Sequence, residues 1–274
     1  MTAAPLLEVR DLSVEFAARG LLSKQAPVKA VDGVSFVLAR GETLSIVGES
    51  GSGKSTTGYA VLGLVTPSAG RILLDGDDLG NLSPSDRRRL ATRMQIIYQD
   101  PSAALDPRFT IAESVAEPLL LQHRGSSKER RERVGELLNA VGLTPSLAQR
   151  YPNQISGGQR QRAVIARAIA LNPDVIVCDE AVSALDVSIR SQILNLLMDL
   201  QESLGLAYLF ISHDLSVVRH ISDRVAVMRA GKIVELAGTD QIFDAPQDPY
   251  TRGLLQAIPL PDPTQRKSFA NTSE

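Results

Sequence analysis

The chain has 274 residues, 43% of them hydrophobic and 22% charged, with a formal net charge of -2; this suits one large α/β domain, or one with a smaller lobe, and gives no overall basic field for nucleic acid. One cysteine, Cys178, excludes an internal disulfide and a cysteine-ligated metal or cluster, and the lack of Trp leaves no stacking platform for single-stranded nucleic acid. No apolar run reaches transmembrane length and the N-terminus lacks a signal-peptide core, so a soluble, cytosol-side protein is expected.

Residues 6–16 partly alternate apolar and polar and predict a strand. Residues 17–27 read as a Gly/Pro-containing connection, and 34–38 as a second strand that turns at Arg40 and Gly41. Next comes Ser45-Ile46-Val47-Gly48-Glu49-Ser50-Gly51-Ser52-Gly53-Lys54-Ser55-Thr56, which fits the phosphate-cradling pattern G-x-x-x-x-G-K-[ST]. Its glycines let backbone N–H groups approach an anion, and the following helix adds its positive end. Lys54 supplies a compact cation for the β- and γ-phosphates, and the Ser55 hydroxyl suits Mg²⁺. By itself the stretch indicates a nucleotide phosphate and no particular machine.

Residues 57–64 predict a helix, 67–70 a turn, 71–75 a strand, and Ser83-Pro84-Ser85-Asp86 a helix start with an N-cap and Pro at the first position. Residues 95–98 form another predicted strand. From about 100 to 155 the signals are helical, at 111–122 and 128–141, and predict a helical lobe inserted into the α/β core. The alternation then resumes: helix 159–171, a wholly apolar strand 175–178, helix 187–204, strand 208–211, helix 215–221, and a hairpin of 224–228 with 232–236. Short helices are predicted at 239–243 and 249–258, and a Pro-rich, polar end follows.

Several residue sets are chemically suggestive. Asp179 and Glu180 end the apolar strand, where ligands sit in doubly wound sheets. Alone they read as a loop start or cap; with the phosphate loop upstream, Asp179 suits the metal beside Ser55 and Glu180 an attacking water. Gln99 and His213 each end a strand. Gln99 reads either as a surface amide or as a bridge from the metal site to the helical lobe, and His213 either as a structural imidazole or as a contact to a γ-phosphate or water. Ser156-Gly157-Gly158-Gln159 opens a helix as a second anion site or a plain cap. Ser183-Ala184-Leu185-Asp186 leads into the next helix, with Asp186 a candidate N-cap. Cys178 reads as core packing.

Together these segments resemble the ATP-binding subunits of ABC transporters. Residues 48–55 resemble their Walker A motif, 175–180 Walker B with its catalytic glutamate, and 155–159 the signature motif. Gln99 resembles the Q-loop, 183–186 the D-loop and His213 the switch histidine, all in family order over about residues 6–245. Residues 28–36, 47–56, 99–101, 183–188 and 248–255 are similar to the dipeptide/oligopeptide/nickel importer group, and to the subunit type without a C-terminal cysteine cluster.

The resemblance implies an α/β fold: a P-loop NTPase (RecA-like) core with an N-terminal antiparallel β subdomain and an inserted helical subdomain at about 100–160. An ATPase domain over 1–245 and a C-terminal extension over 246–274 are expected. The implied function is ATP hydrolysis, with ATP and Mg²⁺, driving uptake of di- or oligopeptides or related small solutes; the alternative is a soluble ABC ATPase not coupled to transport. Implied catalytic residues are Glu180, His213, Gln99 and Lys54. Implied nucleotide contacts are Phe16 on the adenine, Gly48, Ser50, Gly51, Gly53, Lys54, Ser55 and Thr56, with Ser156, Gly157, Gly158, Gln159 and Asp186; implied metal contacts are Ser55, Gln99 and Asp179. Phe16 reads equally well as strand core. Implied partners are a second ATPase subunit in a head-to-tail ATP sandwich, two transmembrane permease subunits and, indirectly, a solute-binding protein, at the cytoplasmic face of the bacterial inner membrane; no nucleic acid is implied. Two residues depart from the family pattern: Ile155 for Leu, expected to be mild, and Ala181 for Pro, expected to loosen the turn at Glu180.

Overall fold

The computed structural model describes residues 4–16, 28–81 and 83–257. The connection expected at 17–27 and the Pro-rich end lie outside the described residues. In chain order the strands are β1 (Leu7–Phe16), β2 (Val28–Leu38), β3 (Thr43–Val47), β4 (Ala69–Leu74), β5 (Asp77–Asp78), β6 (Met94–Ile97), β7 (Val175–Asp179), β8 (Ala207–Ile211), β9 (Arg224–Arg229) and β10 (Lys232–Gly238). The α-helices are α1 (Lys54–Val61), α2 (Pro84–Arg93), α3 (Pro101–Ala104), α4 (Ile111–Leu121), α5 (Ser127–Ala140), α6 (Gly157–Ala168), α7 (Val187–Leu204), α8 (Leu215–Ile221), α9 (Thr239–Asp244) and α10 (Pro249–Gln256).

The strands form two sheets. One is antiparallel, in the order β2-β1-β4-β5; the other runs β10-β9-β3-β8-β7-β6, parallel from β9 to β6 with β10 antiparallel at its edge. Strand period two explains the layering. In β7, Val175 and Val177 face the antiparallel sheet while Ile176 and Cys178 face the helices on the other side. In β8, Ala207, Leu209 and Ile211 take the first face and Tyr208 and Phe210 the second. Both faces are therefore buried, which is why these strands read as continuous apolar runs. Each fully buried Leu, Ile or Phe contributes about 1.5–3 kcal/mol.

Between β6 and β7 the described elements are all helical. Two starts are fixed by capping boxes, Thr110 with Glu113 for α4 and Ser126 with Glu129 for α5. Their apolar faces, including Val115, Leu119, Leu137 and Leu138, join the core under α6 and α7.

β2 begins six residues earlier than its hydrophobic pattern predicts. Its pairing with β1 slips between Val9 and Leu12 and again between Leu12 and Val14, with Asp11 at φ 47° and Gly33 at φ 66°. Such bulges interrupt the alternation that marks a strand in sequence. The turn expected at 67–70 gives way to β4 from Ala69.

Candidate active site

Parallel register sets the site. Val47 pairs with Val227, Ile46 with Ile211, Asp179 with Ile211, and Ile97 with Cys178. The segments that follow β3, β6, β7 and β8 therefore leave the sheet along one edge. They are the glycine loop, Gln99, Glu180 and His213.

The loop runs directly into α1 at Lys54, three residues before the helix expected from periodicity. Gly48 has φ 148° and Gly53 φ 103°. A Cβ on Gly48 would lie 2.0 Å from the Met228 carbonyl oxygen, and one on Gly53 2.2 Å from that of Ala30. Both positions need glycine because the loop is wedged against neighbouring backbone. Lys54 is buried, and its Nζ donates to the carbonyl oxygens of Gly48 at 2.8 Å and Glu49 at 2.7 Å. Burial lowers the Lys54 pKa from its ordinary value, while the carboxylates of Glu180, Asp179 and Glu49 oppose that shift.

Ser55 Oγ donates to Asp179 Oδ1 at 2.8 Å, and Tyr59 Oη donates to Asp179 Oδ2 at 2.7 Å. Burial and then this hydrogen bond raise the Tyr59 pKa, keeping the phenol a donor. Among the described residues no group of three or more His, Cys, Asp or Glu could hold a metal alone. One hydroxyl and one carboxylate 2.8 Å apart suit Mg²⁺, which takes few protein oxygens and fills its shell with water and substrate phosphates.

Glu180 adopts φ 51°, an uncommon conformation for a side chain with a Cβ. Its N–H donates to Ile211 O at 2.9 Å, and its carbonyl accepts from Ser183 N and Ser183 Oγ. Ala181 O accepts from the buried Gln161 Nε2 at 2.8 Å. Hydrogen bonds from β8, α6 and Ser183 hold the turn at Ala181 without a proline ring. His213 Nδ1 lies 3.1 Å from Glu180 Oε1, pairing an imidazole with the carboxylate at the open end of the sheet.

The remaining expected residues separate. Ser156 caps α6 in a capping box with Gln159, and its hydrogen bonds stay inside that cap. A Cβ on Gly158 would meet Ile189 Cγ2 at 2.8 Å, so this glycine serves the close packing of α6 on α7. Around Gly157 there is open space. Asp186 Oδ1 accepts from Ile189 N and Ser188 Oγ, both at 3.0 Å, which is the bonding of a helix N-cap. Gln99 is exposed beyond β6 and makes no hydrogen bond to Ser55 or Asp179. Phe16 is 45% exposed, so it is not strand core. Ser50 is exposed and Thr56 half-buried in the first turn of α1. Cys178 is fully buried in the core, and burial raises its thiol pKa. Ile155 is buried in the helix-side core, as an Ile-for-Leu exchange allows.

Tyr59 and Gln161 were not visible as site residues. Tyr59 lies four residues after Ser55, so both share one face of α1; that spacing was the available signal.

The sequence pattern of the ABC transporter family matches residues 31–183, and that of the oligopeptide/dipeptide transporter C-terminal region matches 234–273. The chain is 55% identical over 265 residues to the glutathione import ATP-binding protein of Escherichia coli O6:H1, covering 96% of this chain but 42% of that one, so it spans under half of that relative's length. It is 53% identical over 266 residues to a protein of Brucella ovis named for peptide import ATP binding, covering 97% of this chain and 82% of that one. Among solved structures, an ATP-binding cassette in a dimeric post-hydrolysis state with ADP and Pi superposes with a TM-score of 0.75 at 30% identity, over 85% of this chain and 98% of that one. CbiO1 from Clostridium perfringens, part of an ABC transporter complex, gives 0.77 at 27% identity, over 88% and 91%. With the glycine loop, Asp179, Glu180 and His213 gathered at one sheet edge of a matching fold, the chain belongs to the ATP-binding cassettes of the ABC transporter family.

Proposed function

We propose that this chain is the ATP-hydrolysing motor subunit of an importer for di- or oligopeptides or related small solutes such as glutathione. The observation that carries the hydrolytic reading is the Glu180–His213 pair held 3.1 Å apart on the edge that also carries the loop and the Ser55–Asp179 pair. The solute class rests on the match over 234–273 and on the names of the relatives. Among the described residues no helix is long and apolar enough to cross a membrane. On the import ATP-binding names of the relatives, the motor is read as peripheral at the cytoplasmic face, bound to two transmembrane permease subunits, with a solute-binding protein delivering cargo.

The N–H groups of residues 50–55 cradle the ATP phosphates. Lys54 exchanges its two carbonyl partners for phosphate oxygens, and Ser50, Thr56 and Phe16 complete the nucleotide contacts. Ser55 and Asp179 would hold the metal, and Gln99, exposed beyond β6, would have to swing in to join them. When bound, Mg²⁺ neutralises charge on the phosphate oxygens. Glu180 orients and polarises the attacking water, and His213 positions the Glu180 carboxylate. The Ser156-Gly157-Gly158-Gln159 segment, open at Gly157, serves the nucleotide of a second subunit, with Asp186 at the same interface. Closing that sandwich moves the helical insert and drives the permease.

The reading is tested by purifying the chain from membranes with its permease subunits and measuring ATP-driven peptide uptake in vesicles. Co-purification with uptake is expected. A fully soluble ATPase that never associates with permeases overturns the transport assignment.

Tyr59→Phe removes one of the two hydrogen bonds on Asp179. The half-saturating Mg²⁺ for hydrolysis is expected to rise about 10- to 150-fold, the equivalent of the ~1.5–3 kcal/mol of one hydrogen bond to a charged group. ATP affinity measured without Mg²⁺ stays unchanged. An unaltered Mg²⁺ titration shows that Tyr59 does not orient Asp179.

A further inference from the structure

The C-terminal region reaches back to the glycine loop. Glu49 N–H donates to Tyr250 Oη at 3.2 Å, across 201 residues of sequence. Tyr250 is not placed there loosely. Glu235 on β10 accepts the N–H groups of Gln247 at 2.7 Å and Asp248 at 3.1 Å, fixing the approach to α10. Asp248 Oδ1 then accepts from Tyr250 N at 2.7 Å, capping the helix. The Arg229 guanidinium lies over the Tyr250 ring, 4.8 Å from its centroid, and Tyr250 packs against the core cluster that includes Val47, Val225 and Val227. The same strand end, Val47, leads into the loop.

The Glu49 peptide is thus held at both sides. Its N–H is held by Tyr250, and its carbonyl accepts from Lys54 Nζ and from Ser52 N at 3.2 Å. On the proposed function, nucleotide binding takes Lys54 away from that carbonyl. Tyr250 and Ser52 then remain as the restraints on this peptide. We infer that Tyr250 is a positioning residue for the phosphate loop, by which the C-terminal extension keeps the loop in its binding shape when Lys54 turns to the phosphates. A loop already in shape costs less to order on binding, so the brace acts on ATP affinity and leaves the chemical step alone. The inference rests on reading residues 48–55 as the ATP phosphate loop.

Tyr250→Phe tests it, because it keeps the ring over Arg229 and deletes only the acceptor. In the full chain, hydrogen exchange at the Glu49 amide is expected to rise about two- to tenfold, the range of one neutral hydrogen bond. The dissociation constant for ATP, and KM in the assembled transporter, rise by a similar factor while kcat stays within about twofold. Unchanged exchange and unchanged affinity in the variant overturn the inference, as does a loss of kcat at constant KM. Should the wild-type chain itself fail to bind ATP, the reading of the loop falls and the brace with it; wild-type ATP binding with wild-type values in Tyr250→Phe overturns the brace alone.

Discussion

Replacing Glu180 by glutamine is expected to lower ATP turnover by the assembled transporter about 10²- to 10⁴-fold, the range associated with losing a positioned general base. Nucleotide binding survives, because the loop, Lys54, Ser55 and Asp179 are untouched. The amide is nearly isosteric, and the backbone bonds of Glu180 to Ile211 and Ser183 do not involve its side chain. The left-handed turn at φ 51° therefore persists. What is lost is the carboxylate, and with it the charged partner of His213 at 3.1 Å. Single-turnover ATPase assays, together with size-exclusion chromatography in ATP, check this. A closed dimer that retains ATP is expected, and undiminished hydrolysis removes Glu180 from the chemistry.

Ser156→Arg tests the second half of the site. Ser156 is exposed at the start of α6, beside a Gly157 whose surroundings are open. On the proposed arrangement, a long cation there fills the space meant for a partner's nucleotide. ATP binding to the monomer is expected to stay within about twofold of wild type, whereas ATP-driven dimerisation and turnover fall by at least about 100-fold, as a steric block to closure costing about 3 kcal/mol requires. The substitution also removes an N-cap worth about 1 kcal/mol. Ser156→Ala carries that loss alone and separates it. Dimerisation by Ser156→Arg at the wild-type ATP concentration shows that this segment does not face the second nucleotide.

How much was legible in the sequence follows from the range of each interaction. The glycine loop, the caps at Ser83, Ser156 and Asp186, and the apolar runs of β7 and β8 depend on residues close in the chain, through φ preference, side-chain-to-N–H reach and strand period. The two-residue β5 and four-residue α3 went unread because elements so short carry no period. The start of β2 was missed because its bulges break the alternation.

The sequence by itself determined where the phosphate loop, the acidic strand end and the capped helix starts lie. Those properties are written in neighbouring residues. Only the tertiary structure decided which groups meet. Tyr59 reaches Asp179 because α1 packs across the β7 edge, and Gln161 reaches Ala181 because α6 runs beneath the Glu180 turn. Tyr250 reaches Glu49 because Glu235 folds the C-terminal region back over β3 and β9. Such contacts span 20 to 201 residues. They are set by sheet order and packing direction, which no local pattern encodes.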